Sequence, residues 1–144
     1  MKIRRAVLAD AQALAAIEQT QPHAAGWGKN GFVSELKLDF SIIFCAQEEA
    51  EIMGFIAVRF AADNAEILNV AVRAGRERRG IGGQLLQQTL DALKKAGVRR
   101  VSLEVAQDNS AACALYEKAG LKRLGERKDF YGPGRPAWIL GKQL

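Results

Sequence analysis

Histidine is nearly missing from this chain. Its 144 residues hold one, His23, beside only two cysteines, Cys45 and Cys113. None of the three falls in a metal-binding or redox spacing, so the sequence offers no credible zinc or iron site and no disulfide framework. Reduced thiols in a cytoplasmic setting are the expectation. Proline is scarce at three residues and aromatics make up 7%, with no repeat, low-complexity tract or linker. Residues 1–144 therefore read as one domain, long enough to bury a core without staples. No apolar run approaches the roughly 20 residues that span a bilayer, so no membrane partner is expected. Met1-Lys2-Ile3-Arg4-Arg5 is basic, but Asp10 and Gln12 break the apolar stretch behind it, so it does not read as a signal peptide. What is present in quantity is ordinary: 49% hydrophobic and 26% charged residues, with a net charge of +5 that favours an anionic partner.

Periodicity supplies the elements. Lys2 to Ala6 suggests a strand, and Asp10 a cap for a helix that turns Leu14 and Ile17 inward. A glycine-rich loop with Trp27 leads to a short helix around Phe32 to Leu38. Three strands come next at Ser41–Gln47, Glu51–Phe60 and Ala65–Val72, joined by polar turns. A helix carries Ile81, Leu85, Leu86, Leu90 and Leu93 at helical spacing to Gly97. Val98 to Val105 alternates as a strand, with Ser102 and Glu104 on the face opposite Val101, Leu103 and Val105. Asp108 to Ser110 opens another helix that ends at Gly120. Two strand-like pieces close the chain, around Arg123–Arg127 and Ala137–Leu140. The pattern is α+β, a mixed sheet covered by helices.

The sharpest feature is Arg78-Arg79-Gly80-Ile81-Gly82-Gly83, between a strand and a helix. Glycines there let backbone approach a ligand, and the free N–H groups at the helix start face whatever lies there. A pyrophosphate fits that description. So does an ordinary strand-to-helix turn flanked by solvated arginines. It is neither a Walker loop, which needs Gly-Lys-Ser/Thr, nor a dinucleotide fingerprint, whose glycine spacing differs.

The second feature is the run from Leu103-Glu104-Val105 through Asp108-Asn109-Ser110-Ala111-Ala112 to Leu115-Tyr116-Glu117-Lys118-Ala119-Gly120. Taken with the glycine loop, in this order, the chain resembles the GNAT superfamily of acyl-CoA-dependent N-acetyltransferases over nearly its whole length. Within it, Trp27 to Phe32, Asn69-Val70-Ala71-Val72, Leu103-Glu104-Val105 and the late Phe130-Tyr131 resemble the ribosomal-protein-alanine N-acetyltransferases (the RimI type). The resemblance implies a mostly antiparallel GNAT-like sheet flanked by helices, with acetyl-CoA as co-substrate and no metal. It implies acetyl-CoA contacts from Val70, Ala71 and Val72, from Arg78, Arg79, Gly80, Ile81, Gly82 and Gly83, and from Asn109. It also implies Glu104 as general base and Tyr116 as general acid. One departure is Glu77, in a slot where the superfamily usually has Gln or Arg; its side chain must point away from the pyrophosphate.

The chemistry suits those residue types. An attacking amine must be neutral, and an α-amine near ~8 needs less help than a lysine near ~10.4. One positioned carboxylate, directly or through water, suffices as base. A phenol near ~10 can donate a hydrogen bond or proton to a thiolate near ~8.5. Each residue also has a plainer reading: Glu104 as a solvated strand carboxylate, Tyr116 as a core aromatic, Asn109 as a helix cap. Tyr131 and Trp27 are candidates for the acceptor wall. The acceptor expected from the resemblance is a protein N-terminus, of a ribosomal protein. Lysine, a small-molecule amine, or a non-catalytic acyl-CoA sensor are the alternatives. Direct nucleic-acid binding ranks last, because the pairs Arg99-Arg100, Lys122-Arg123 and Arg127-Lys128 are dispersed, with no stacking aromatics between them.

Overall fold

Two-residue turns fold the middle of the chain back on itself. Strand β2 (Ser41–Glu48) turns through Glu49-Ala50 into β3 (Glu51–Ala61), which turns through Ala62-Asp63 into β4 (Asn64–Val72). Glu49 and Ala62 sit at φ 56° and 54°, the left-handed backbone that lets a tight hairpin follow the twist of its strands. The computed structural model covers residues 1–144 and describes all of them except Arg78. Strand β1 (Lys2–Arg5) pairs antiparallel with β2 at one edge.

After β4 the chain crosses through helix α3 (Ile81–Lys95) and returns as β5 (Arg100–Ala106), parallel to β4. Helix α4 (Ser110–Lys118) then leads to β6 (Lys122–Arg127) and β7 (Ala137–Gln143). The seven strands lie in the order β1-β2-β3-β4-β5-β7-β6, antiparallel apart from β4–β5 among the described residues. This is the α+β, mostly antiparallel single-domain architecture expected from the sequence.

Alternation divides the core in two. Ile56 and Val58 of β3, with Ile67, Val101, Leu103 and Val105, pack against Leu85, Leu86, Leu90 and Leu93 of α3 and Tyr116 of α4. Phe55 and Ala57, the intervening residues, pack with Ile43 and Cys45 against α1 (Ala11–Gln19) and Phe32 of α2 (Gly28–Leu36). Both cysteines are free and buried. No helix among the described residues is long and apolar enough to cross a membrane.

Two local expectations change. Val98 lies in the turn that closes α3, where its N–H reaches Leu93 O at 3.0 Å behind Gly97 at φ 89°, so β5 begins at Arg100. Asp10 does not cap α1 with its side chain. Its carboxylate takes Arg4 at 2.8 and 3.0 Å and the Val7 N–H at 2.7 Å, because a 3-10 turn at Leu8–Asp10 precedes the helix.

Candidate functional site

Strands β4 and β5 separate halfway along. Their pairing runs only from Asn64 opposite Arg100 to Ile67 opposite Leu103. Beyond it β4 stays with β3 to Val72, and β5 stays with β7 to Ala106. A bulge marks the parting: Ala57 opposes Asn69 and Val58 opposes Ile67, which leaves Leu68 as the extra residue on β4. The gap is a cleft of about 580 Å³ that passes through the sheet.

The β4 backbone along this gap is turned toward it. Arg73 N–H donates to Met53 O at 2.7 Å. Antiparallel ladders alternate, so Ala71 also faces β3, while Val70 and Val72 aim N–H and C=O at the cleft. The Val72 carbonyl indeed accepts from Gln21 Nε2 at 2.8 Å. An extended amide chain laid in the gap finds donors and acceptors here that no strand claims.

The start of α3 forms one end of the cleft. Gly80 caps the helix at φ 79°, where no side-chain cap hydrogen bond is made among the described residues, and Gly80, Ile81 and Gly82 line the opening. A Cβ at Gly82 would meet Leu115 at 3.4 Å, and one at Gly83 nothing nearer than 3.9 Å. Both are ordinary contacts, so the fold itself does not demand glycine there, although each costs about 1 kcal/mol relative to alanine within a helix. Exposed N–H groups and a bare helix start suit an anion such as a phosphate. Gly83 and Arg79 do not line the opening. Arg79 instead reaches Glu48 at 3.7 Å, and Arg78 lies outside the described residues. Arg73 is engaged by Ile52 O and Glu51, which leaves Arg76 as a cation lining the cleft. Glu77 accepts the Gly75 N–H at 2.7 Å and Gln21 Nε2 at 3.4 Å.

The remaining expected residues meet in the same gap, from opposite faces. Glu104 lies on the face away from α3 and α4, its side chain 19% exposed and Oε1 held by Arg127 Nε at 3.3 Å. Tyr116 comes from α4 on the other face and is almost wholly buried yet lines the cleft. Burial pushes its phenol well above the ordinary tyrosine value, with Tyr131 and Cys113 adding to the shift. Asn109 caps α4, Oδ1 accepting Ala112 N–H at 3.2 Å, and also lines the cleft. Tyr131 joins the lining and donates its hydroxyl to Glu104 O at 3.3 Å. Trp27 does not line it, being stacked edge-on against Phe32 with centroids 5.3 Å apart.

Several participants carry no motif. Gln21, His23, Ala24 and Ala25 form the wall on the Glu104 side; Ala25 N–H is held by Asn69, which in turn donates to Glu18, a buried carboxylate. Glu18 sits four residues after Leu14 on the buried stripe of α1. A charge in register with core residues was the available signal. Arg127 gave none, because only strand pairing brings it to Glu104.

Comparison with known proteins gives the family and the fold. The chain matches the acetyltransferase (GNAT) family over residues 11–121. It is 34% identical over 118 residues to the [ribosomal protein bS18]-alanine N-acetyltransferase of Escherichia coli K12, covering 80% of this chain and 76% of that protein. It is also 34% identical over 126 residues to the Haemophilus influenzae protein of that name, covering 85% and 82%. The crystal structure of the ribosomal-protein-S18-alanine N-acetyltransferase from E. coli superposes with a TM-score of 0.88 at 28% identity, covering 99% of this chain and 92% of that one.

Proposed function

We propose, for a chain that belongs to the acetyltransferase (GNAT) family and so transfers the acetyl group of acetyl-CoA to an amine, that the amine is the N-terminal α-amine of a protein, of the kind a ribosomal protein presents on alanine. The observation that carries the transfer chemistry is a carboxylate and a phenol on opposite faces of one sheet, both lining the gap where β4 leaves β5. The pyrophosphate of acetyl-CoA rests on the start of α3, with Gly80, Ile81 and Gly82 giving backbone access and Arg76 adding charge. Its amide arm lies along Val70, Ala71 and Val72, with Asn109 contacting it from α4.

The acceptor enters from the other face, past the Gln21–Ala25 wall. Glu104, ion-paired with Arg127 through Oε1 at 3.3 Å, takes the amine proton, directly or through water. The amine nitrogen then attacks the thioester carbon, whose oxygen is polarised by a cleft-facing N–H of β4, and sheds its second proton to water as the amide forms and CoA leaves as a thiolate. As the C–S bond breaks, Tyr116 donates a hydrogen bond to the departing sulfur. A phenol pushed up by burial gives its proton away reluctantly, so donation fits it better than complete transfer. The acceptor class is supported by the names of the relatives and by the lower pKa of an α-amine.

The test is CoA release with three acceptors: a peptide beginning with Ala, the same peptide N-terminally blocked but bearing Lys, and spermidine. Turnover of the free N-terminus alone, falling about 10²- to 10⁴-fold in Glu104→Gln, is the expected result. Turnover of lysine or spermidine alone would replace the acceptor and keep the chemistry.

A further inference from the structure

Away from α3 the acceptor side of the cleft is a loop, and loops move unless something ties them. This one is tied by two buried side chains, Glu18 and Asn69, of which Asn69 also reaches the lining of the cleft. Glu18 Oε1 accepts the Gly28 N–H at 2.9 Å, and Oε2 accepts the Trp27 N–H at 2.9 Å and Asn69 Nδ2 at 2.8 Å. Asn69 Oδ1 in turn accepts the Ala25 N–H at 3.2 Å. Both side chains are buried, at 3% and 4% exposure. The carboxylate thus also supplies the cap that α2 lacks from its own N-cap residue, Trp27, which gives no side-chain bond.

The place matters as much as the bonds. Asn69 is the residue after the Leu68 bulge, where β4 turns away from β5. Ala24 and Ala25 line the cleft, and Ala25 hangs from Asn69 by its own N–H. One buried pair therefore connects the parting of the sheet to the wall facing Glu104. A core that only needed filling would place apolar atoms here, since a carboxylate is costly to bury unless every oxygen is satisfied.

We infer that Glu18 and Asn69 are positioning residues for acetyl transfer, which set the Ala24–Ala25 wall and through it the seat of the acceptor amine. The inference rests on acceptor entry from the Glu104 side, and not on which amine is used. Removing either partner loosens the wall while leaving the α3 start and the cleft-facing backbone of Val70 and Val72 in place.

Steady-state kinetics of the full chain, with whichever amine the wild type acetylates, separates the two substrates. Asn69→Ala and Glu18→Gln are each expected to raise the acceptor KM about tenfold with the acetyl-CoA KM unchanged. Combining Glu18→Gln with Asn69→Asp exchanges the two groups and again sets a carboxylate against an amide. The carboxylate, now on β4, accepts from the Ala25 N–H and from the amide now on α1. The amide on α1 keeps one oxygen for the Gly28 N–H and leaves the Trp27 N–H without its acceptor, so this double variant is expected to recover the part of the acceptor KM that depends on Ala25 rather than all of it. Equal rises in both KM values, or lower thermal stability with both KM values normal, would overturn the inference. So would a double variant that folds and stays as impaired as the singles. Should Asn69→Ala not fold, the comparison of Glu18→Gln with the double variant carries the same test. A wild type that ignores peptide N-termini but acetylates lysine would sink the α-amine proposal and leave this one readable.

Discussion

Tyr116 shows how one side chain can belong to a core and a site together. Its ring packs among the α3-side core residues, the plain expectation for an aromatic at that spacing, while the residue also lines the cleft. Burial is the main reason its phenol stays neutral far above the usual range. In the unfolded chain the phenol ionises near ~10, and in the fold it holds its proton to higher pH. Between those points the unfolded state binds fewer protons, so stability is full below about pH 10 and falls as pH rises further. Tyr116→Phe removes that slope. Melting temperatures from pH 8 to 11 are expected to fall less steeply in Tyr116→Phe than in wild type. At pH 8 the same variant is expected to lose about 10²-fold in kcat, because a ring without its hydroxyl packs but donates nothing. Equal slopes would mean the hydroxyl is hydrated in the folded protein.

At the scale of elements, the glycines of α3 pull against the helix that contains them. Gly82 forfeits helix stability at a position where a methyl group would make an ordinary contact with Leu115 at 3.4 Å. Gly82→Ala is therefore expected to stabilise the free protein by about 0.5–1 kcal/mol. The same methyl stands over the helix start that we propose for the pyrophosphate, so acetyl-CoA affinity is expected to fall tenfold or more. Thermal unfolding beside calorimetric titration with acetyl-CoA measures both signs. A variant stabilised with unchanged affinity would remove Gly82 from the binding surface. Elements of this kind were legible in the sequence because their signals are local: α3 in its leucine spacing, β5 in its alternation, the glycine loop in its composition. The cleft was legible only through likeness to a family. The separation of β4 from β5 depends on Leu68 slipping out of register with β3, and nothing in Ile67-Leu68-Asn69 marks a bulge. Glu104 and Arg127 are 23 residues apart in sequence and meet only because β6 and β5 both pair with β7.

The whole molecule is two half-sheets joined by a short parallel seam. One half, β1 to β4, is covered on both faces, by α1 and α2 on one side and α3 on the other. The other, β5 to β7, packs its apolar face on α3 and α4, with Glu104 on the opposite face. The seam holds only from Asn64–Ile67 to Arg100–Leu103. A sheet that opens this way keeps strand hydrogen-bonding groups turned toward the gap, which is unfavourable in an empty protein and useful in one that binds an amide chain. Amide exchange reads the difference residue by residue. Ala71 N–H faces β3 and is expected to be protected with or without ligand. Val70 and Val72 N–H face the cleft and are expected to exchange quickly in the free protein, then to slow by more than tenfold when acetyl-CoA saturates it, as a newly hydrogen-bonded amide does. CoA lacking the acetyl group should protect the same pair if its amide arm lies along β4. Protection confined to the α3 start, with Val70 and Val72 unchanged, would put the arm elsewhere and leave the opened seam without its ligand.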